Sequence, residues 1–423
     1  MTAVSHMSVD PKKVTWLYVA FQLLFNLLLW VPIFYEFQKQ IGLSDSQIFY
    51  IQSVYYIAFC LLEIPTGFLA DRVSYRFCMG AGAMLLTFAN LMPVAFPNYT
   101  GFMVHFLAIA LCRSLISGAS SAYLYEFLRQ RNEQDRYRKI EGDGRFWSLV
   151  GRIVAGAAAA PLMALDLDSP YWISAAAAAM SFGAVLLLPK VGAWSRGDEA
   201  EPTKVSYRAA WRRAFESPRL VLLMLQGVGF FVMARILIVN LFQPLLNSKD
   251  FALAYYGAIM GITMVGEAFG SKFAHKVRAI LSDRGAVTAM TLVMSLSLLG
   301  AAFGGQVVTL LSLALFSVAM GLSAPVQKQL MNDAIPEPKL RATLLSCESI
   351  VDRAMCAVAV LPLGTMVATG RTSESLIWAA GLTAFGAILI HLCFYCFEKR
   401  QAAGAAAFLA KDSSGLNATR SGL

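Results

Sequence analysis

Long apolar stretches separated by short polar segments make up most of the chain. A helix needs about 20 mainly apolar residues to cross a bilayer, and each stretch is close to that length. The pattern therefore predicts an all-α membrane protein of about twelve transmembrane helices. The predicted spans are 16–37, 46–70, 77–96, 101–127, 142–164, 171–189, 218–246, 252–275, 285–303, 306–328, 342–367 and 374–397.

The longest polar segment lies between the sixth and seventh stretches and divides the chain almost in half. We therefore expect two six-helix bundles joined by a loop. The predicted boundaries are an N-terminal six-helix bundle at 1–190, a central loop at 191–217, a C-terminal six-helix bundle at 218–400 and a tail at 401–423.

Composition excludes an ordinary soluble domain, because 57% of the 423 residues are hydrophobic and 14% are charged, against roughly 45–50% and about 25% in globular chains. The formal charge of +9 could indicate nucleic-acid binding, but Lys and Arg are confined to short segments between the apolar stretches. One set of loops is rich in them, whereas the opposite set carries only Lys39, Lys249 and Arg371. Because Lys and Arg accumulate in cytoplasmic loops, we predict that both termini, the central loop and the tail are cytoplasmic, with a lipid bilayer and no nucleic acid as partner.

Few residues are candidates for catalytic, metal or cofactor chemistry. All seven cysteines lie in or at the ends of apolar stretches, where a free cysteine behaves as a small apolar residue. None of the four histidines lies beside a plausible nucleophile, and no GxxxxGK[ST] phosphate loop occurs. We therefore expect no cofactor, no metal and no enzymatic activity.

A charged turn joins the second and third apolar stretches, with the sequence GFLADRVSYR at residues 67–76. It resembles the signature loop between the second and third helices of the major facilitator superfamily, G-x-L-A-D-R-x-G-R-[KR], with Ser74 where the family usually has glycine. The resemblance implies two six-helix halves, a substrate site between them near the middle of the membrane, and transport by alternating access.

The same resemblance implies a cytoplasmic gate. Asp71 would dock against the start of the eleventh helix, near Arg341, where exposed amide groups stabilise a carboxylate. The alternative is that these charges only set the orientation of the chain in the membrane. The residues expected to form the gate are Gly67, Asp71, Arg72, Arg76, Glu126 and Arg129.

Polar residues within the membrane are candidates for substrate contacts because burying them there is costly. Gln22 and Asn26 are four residues apart and share one face of the first helix. Arg113, followed by small and hydroxyl residues, resembles the superfamily's fourth-helix motif, which implies a role in proton coupling or substrate contact. The expected substrate-binding residues are Gln22, Asn26, Arg113, Arg152, Arg235 and Arg353.

Four arginines at comparable depth favour an anionic or zwitterionic substrate, since a planar guanidinium suits carboxylate and phosphate groups. The alternative is structural: helix–helix hydrogen bonds for the two amides and ion pairs for the arginines.

Acidic residues within the spans are candidates for proton coupling. Asp352 is the acid nearest mid-depth and lies beside Arg353 in the sequence. A substrate that drew the arginine away would let this carboxylate take up a proton; the alternative is that Asp352 is a permanent structural partner of an arginine. The candidate proton carriers are Asp352, Glu267 and Glu63.

The segments EIPTG at 63–67 and YLYE at 123–126 resemble the bacterial efflux branches of the superfamily. We therefore expect a monomeric, proton-driven antiporter of a bacterial inner membrane that exports a small amphipathic, anionic or zwitterionic metabolite or drug. The alternatives are a proton symporter that imports an organic anion and a non-transporting membrane sensor.

Overall fold

The ends of the helices follow local capping chemistry. Ser44 accepts a hydrogen bond from the backbone of Gln47, whose side chain reaches back to the backbone of Ser44, and Asn98 caps the fourth span through its side chain. Such residues satisfy amide groups that have no partner within the helix. The computed structural model describes residues 10–191, 217–280, 283–335 and 341–420, and this part contains no β-strand. Its α-helices are α1 (Pro11–Phe25), α2 (Phe34–Gln40), α3 (Asp45–Arg72), α4 (Tyr75–Ala95), α5 (Tyr99–Arg129), α6 (Tyr137–Leu165), α7 (Ser169–Leu187), α8 (Pro218–Arg235), α9 (Phe242–Ser248), α10 (Tyr256–Ile280), α11 (Asp283–Phe303), α12 (Gln306–Ala334), α13 (Arg341–Ala368) and α14 (Thr372–Arg420).

Nine helical segments of the described residues are long and apolar enough to cross a membrane. One of these segments, Pro218–Ser248, comprises α8, a π-helical segment at Ile236–Leu241, and α9. The pair α1 and α2, together with α3 and α10, brings the number of spans to twelve. The predicted class, an all-α membrane protein with twelve spans, is confirmed, and the chain is a multi-pass membrane protein.

The first and seventh spans are both interrupted, which the apolar pattern did not predict. The span expected at 16–37 is split, since α1 ends at Phe25 and α2 begins only at Phe34. In the seventh span the π-helical segment replaces regular α-helix. The two interruptions occupy equivalent positions in the two halves of the chain, and interrupted helices at such positions commonly border the binding site of a transporter.

Two other predicted boundaries differ from the observed helices. The fifth span begins at Tyr137 instead of 142, so that Glu141 lies inside α6. The last helix continues to Arg420, across most of the segment expected to form a tail. The boundaries drawn at 190 and 217 stay predictions, because residues 192–216 lie outside the described part of the chain.

The helices of each half pack mainly on one another, and the halves meet along two helix pairs, α3 with α13 and α6 with α10. We call the side of the bundle where α1 begins and α3 ends the terminus face, and the opposite side the far face. Towards the far face the halves are in close backbone contact: a Cβ added to Gly257 would lie 1.6 Å from the carbonyl oxygen of Gly156. Only glycines allow α6 and α10 to approach this closely.

Candidate functional site

The contact between α3 and α13 contains an ion pair that joins the two halves. Arg353 Nη1 lies 3.4 Å from Glu63 Oε2. The same guanidinium lies over the ring of Phe59, 3.9 Å from its centroid, and donates to the backbone oxygen of Ser349 at 3.2 Å and to the Ser349 hydroxyl. Arg353 is therefore neutralised by an acid of the opposite half.

A second ion pair lies within the C-terminal half. Arg235, the last residue of α8, donates from Nη2 to Asp352 Oδ2 of α13 at 2.6 Å, and Asp352 is only 4% exposed. Asp352 is thus paired with Arg235 and not with its sequence neighbour Arg353. Consecutive residues of a helix point in different directions, so neighbours in sequence are poor ion-pair partners.

Hydrogen bonds join the interrupted first and seventh spans at the far face. Unwinding between α1 and α2 leaves backbone groups without helical partners. Gln243 of α9 supplies two partners: its Oε1 accepts from the backbone N–H of Tyr35 at 2.9 Å, and its Nε2 donates to the backbone oxygen of Val31 at 3.2 Å. Nearer the middle of the bundle, Tyr56 OH donates to Asn240 Oδ1 of the π-helical segment at 3.0 Å.

A cavity of about 370 Å³ lies between the halves, bordered by α6, α10, α12 and the π-helical segment. Arg152 and Glu267 line it. Both residues lie closer to the terminus face than the contact between Gly156 and Gly257 does. Arg152 comes before Gly156 on α6, which begins at the terminus face, and Glu267 comes after Gly257 on α10, which ends there. The cavity therefore lies on the terminus side of the closed far face, and its size suits a small-molecule ligand.

Two arginines of the N-terminal half, Arg113 and Arg152, have no acid bound to them in the described part of the chain. Arg113 of α5 and Glu267 of α10 both act on Arg152 electrostatically, with opposite signs. Within the described residues, neither guanidinium makes a hydrogen bond or an ion pair. An unpaired guanidinium within a membrane is costly unless water or an anion reaches it, so this part of the cavity suits an anionic group.

Gln22 and Asn26, the two amide side chains expected to bind substrate, belong to a hydrogen-bond network within the N-terminal half. Gln22 Nε2 donates to Tyr18 OH at 2.9 Å, and Tyr18 OH donates to Glu141 Oε2 at 2.6 Å. Ser121 donates to the other oxygen of Glu141 at 3.2 Å, and Asn26 donates to the backbone of Gln22 at 2.8 Å. Tyr18 and Glu141 were missed in the sequence. The signal that could have found Glu141 is Arg145, an opposite charge one helical turn away.

Among the described residues of the predicted gate, Arg76, Glu126 and Arg129 make contacts within the N-terminal half. Arg76 donates to the backbone oxygens of Val185 and Leu186, at 3.1 and 2.6 Å, and so caps the end of α7 within its own half. Glu126 and Arg129 lie 3.9 Å apart on one helix. Gly67 lies within α3, and the side chains of Asp71 and Arg72 lie outside the described part of the chain.

No cluster in the described part of the chain has three or more His, Cys, Asp or Glu side chains that could hold a metal ion. Twelve apolar spans in two halves, with charged groups and a cavity between them, are the arrangement of a membrane transporter for small molecules.

The family model of the Major Facilitator Superfamily matches residues 15–347. The chain belongs to the major facilitator superfamily. Three solved structures share its fold over 90% of this chain: the nucleoside transporter NupG (15% identity, 98% of that chain, TM-score 0.74), a D-xylose-proton symporter (14%, 97%, 0.70) and a POT family transporter in complex with 5-aminolevulinic acid (14%, 94%, 0.69). No curated protein matches the sequence.

Proposed function

We propose that the chain is a proton-coupled secondary transporter that moves a small anionic or zwitterionic compound by alternating access, with export as the expected direction. The observation that carries the proposal is the contrast among the four arginines at the site. Arg152 lines the cavity and Arg113 lies near Arg152, and neither makes a hydrogen bond or an ion pair with the described residues, whereas Arg235 is bound by Asp352 and Arg353 by Glu63. Arg113 and Arg152 can bind the charge of a substrate. Asp352 and Glu63, the acids that bind Arg235 and Arg353, can exchange protons.

The arrangement of the halves supports alternating access. They are in contact at the far face through Gly156 and Gly257 and through Gln243, while the cavity lies on the terminus side of these contacts. With the termini in the cytoplasm, as the loop charges predict, a cavity on this side would receive substrate from the cytoplasm. Rocking of the halves would open the far face and release the substrate there.

Proton coupling is supported by the position of Glu63 opposite Arg353. This ion pair joins the two halves, so protonation of Glu63 would weaken the contact between α3 and α13 and change the relative stability of the two conformations. Asp352 and Glu267 stay candidates for the same role, the first beside Arg235 and the second in the cavity with Arg152. Among the solved structures of similar fold, one is named a proton symporter.

Flux measurements in liposomes test the proposal. The purified protein would be reconstituted and assayed for counterflow against a panel of anionic, zwitterionic, cationic and neutral compounds, with and without a pH gradient. We expect exchange of anionic or zwitterionic compounds and, under a pH gradient, net movement of the substrate in the direction opposite to proton flow. Net movement of the substrate in the same direction as the protons would establish the symporter that imports an organic anion. Absence of flux for every class would favour the sensor, and cation-selective flux would contradict the proposed substrate.

A further inference from the structure

A carboxyl group that none of the preceding roles uses is buried in the C-terminal half. Glu348 of α13 is 9% exposed, and its Oε1 is enclosed without any hydrogen-bond partner. It lies one helical turn before Asp352 on the same helix, but it has no arginine of its own among the described residues. An ionised carboxylate without donors in an apolar interior is strongly disfavoured relative to the neutral acid.

The backbone of α8 is shaped to receive this carboxyl. A Cβ added to Gly227 would lie 2.3 Å from Glu348 Oε1 and 2.6 Å from Gln327 Nε2. Any side chain at Gly227 would displace one of these groups, so glycine is what lets α8, α12 and α13 meet at this point.

Gln327 of α12 is the other polar side chain that lies against Gly227. It is fully buried, and its Nε2 donates to the backbone oxygen of Leu223 at 2.8 Å, which fixes the orientation of the amide. Its Oε1 is enclosed and has no donor. Gln327 Nε2 and Glu348 Oε1 both lie against Gly227, but no hydrogen bond joins them, so the carboxyl oxygen stays unsatisfied beside this amide.

We propose that Glu348 is a proton-binding site, carrying a neutral carboxylic acid in the conformation described here. The proposal that it also takes part in coupling rests on the proposed function. When α13 shifts against α8, water reaches the carboxyl, its O–H bond breaks and the proton passes to water; the reverse motion needs a proton from water. A metal cation in its place would require several oxygen ligands.

The charged groups around Glu348 are consistent with a proton as its ligand. Asp352 and Lys328 act on it with opposite signs. Two other charges on helices packed against α13 are paired: Arg235 of α8 with Asp352, and Glu63 of α3 with Arg353. On α14, His391 contacts Thr288 of α11.

Infrared spectroscopy tests the protonation state without requiring transport. The carbonyl stretch of a carboxylic acid is separate from the bands of a carboxylate. At neutral pH we expect such a band in the wild-type protein, its loss in Glu348→Gln, and its retention in Glu374→Gln. Glu374 is a matched control because its side chain is 53% exposed and pairs with Arg371. A Glu348→Gln spectrum identical to wild type in this region would overturn the proposal, as would a band that sodium abolishes.

A second measurement on the wild-type chain keeps the test decisive if Glu348→Gln does not fold. Dicyclohexylcarbodiimide modifies protonated carboxyls in apolar surroundings, and mass spectrometry locates the modified residue. We expect modification of Glu348 at neutral pH and its loss at alkaline pH, with Glu374 unmodified. Absence of both the modification and the infrared band at neutral pH would mean that Glu348 is ionised.

Flux in liposomes tests the coupling role separately. Glu348→Gln should lose transport driven by a pH gradient and keep substrate–substrate exchange. If the infrared band is assigned to Glu348 but Glu348→Gln keeps flux driven by a pH gradient, then Glu348 binds a proton without taking part in coupling. Failure of the wild-type protein to transport would contradict the proposed function and leave the spectroscopic result unaffected.

Discussion

The four arginines within the membrane fall into two groups that differ in their partners. In the N-terminal half, Arg113 and Arg152 make no hydrogen bond or ion pair with the described residues. In the C-terminal half, Arg235 is bound by Asp352 at 2.6 Å and Arg353 by Glu63 at 3.4 Å. The sequence gives no hint of this division, since all four occupy comparable depths in their spans.

The difference separates two uses of the same side chain. A buried arginine with an acid partner is already neutral as a pair, and removing either member leaves the other charge uncompensated. An arginine without a partner is stable only where water or an anion can reach it. We therefore propose Arg113 and Arg152 as the main substrate contacts, whereas Arg235, which was expected to bind substrate directly, is paired with Asp352.

The largest effect is expected from Arg235→Gln. It would leave the carboxylate of Asp352 buried without its guanidinium, and breaking a buried pair in this way costs about 3–5 kcal/mol. Because the Arg235 side chain is 31% exposed, we expect the lower end, about 3 kcal/mol. Thermal or denaturant unfolding of the purified protein in detergent measures it.

Two further variants decide what the loss of stability means. Arg113→Gln removes an unpaired arginine, so its effect on stability should stay within about 0.5 kcal/mol. The double variant Arg235→Gln with Asp352→Asn removes both charges and should recover much of the stability lost in the single variant. Equal destabilisation by the Arg113 and Arg235 variants would break the distinction between the two groups.

The apolar pattern was sufficient for the fold but not for its interruptions. Twelve spans follow from the length of the apolar stretches. The break between α1 and α2 depends on Gln243, which satisfies backbone groups of Tyr35 and Val31 more than two hundred positions away in the chain. Hydropathy does not record such hydrogen bonds, so a continuous first helix was the natural prediction.

Candidate residues were easier to predict than their partners. Arginines and acids within apolar stretches are conspicuous, and Arg152 and Glu267 do line the cavity between the halves. Pairing depends on which helices meet: Glu63 reaches Arg353 only because α3 packs on α13. Glu141 was overlooked because the predicted fifth span began one residue after it.

The second prediction concerns binding at the unpaired arginines. Arg152→Gln and Arg113→Gln should each weaken binding of the anionic substrate by about 1.5–3 kcal/mol, which corresponds to a factor of about 10–150. Binding of an uncharged analogue should change little, because it makes no charge-assisted hydrogen bond. Competition in the liposome exchange assay measures both.

Arg371→Gln is the matched control for these variants. Arg371 is exposed at the far face and pairs with Glu374 at 3.5 Å, so the same substitution there should leave the affinity for anion and analogue unchanged. Equal losses for the anion and its uncharged analogue in Arg152→Gln would indicate that this arginine shapes the cavity and does not contact the charge.

The smallest effect is expected from Glu63→Gln, which would convert a paired arginine into an unpaired one. The Glu63–Arg353 pair is looser than the Arg235–Asp352 pair, at 3.4 Å against 2.6 Å. The Arg353 guanidinium also keeps its contacts with Phe59 and Ser349 when Glu63 is neutral, so we expect a loss of about 1 kcal/mol, the net contribution of one hydrogen bond. Stability should therefore change little, while Arg353 becomes available to an anion. We expect binding of the anionic substrate to tighten by up to about fivefold, since 1 kcal/mol corresponds to that factor. Glu374→Gln, which frees Arg371 far from the cavity, should give no such gain. Weaker anion binding in a stable Glu63→Gln protein would mean that the contact between α3 and α13 maintains the binding conformation, and that Arg353 belongs permanently with the paired group.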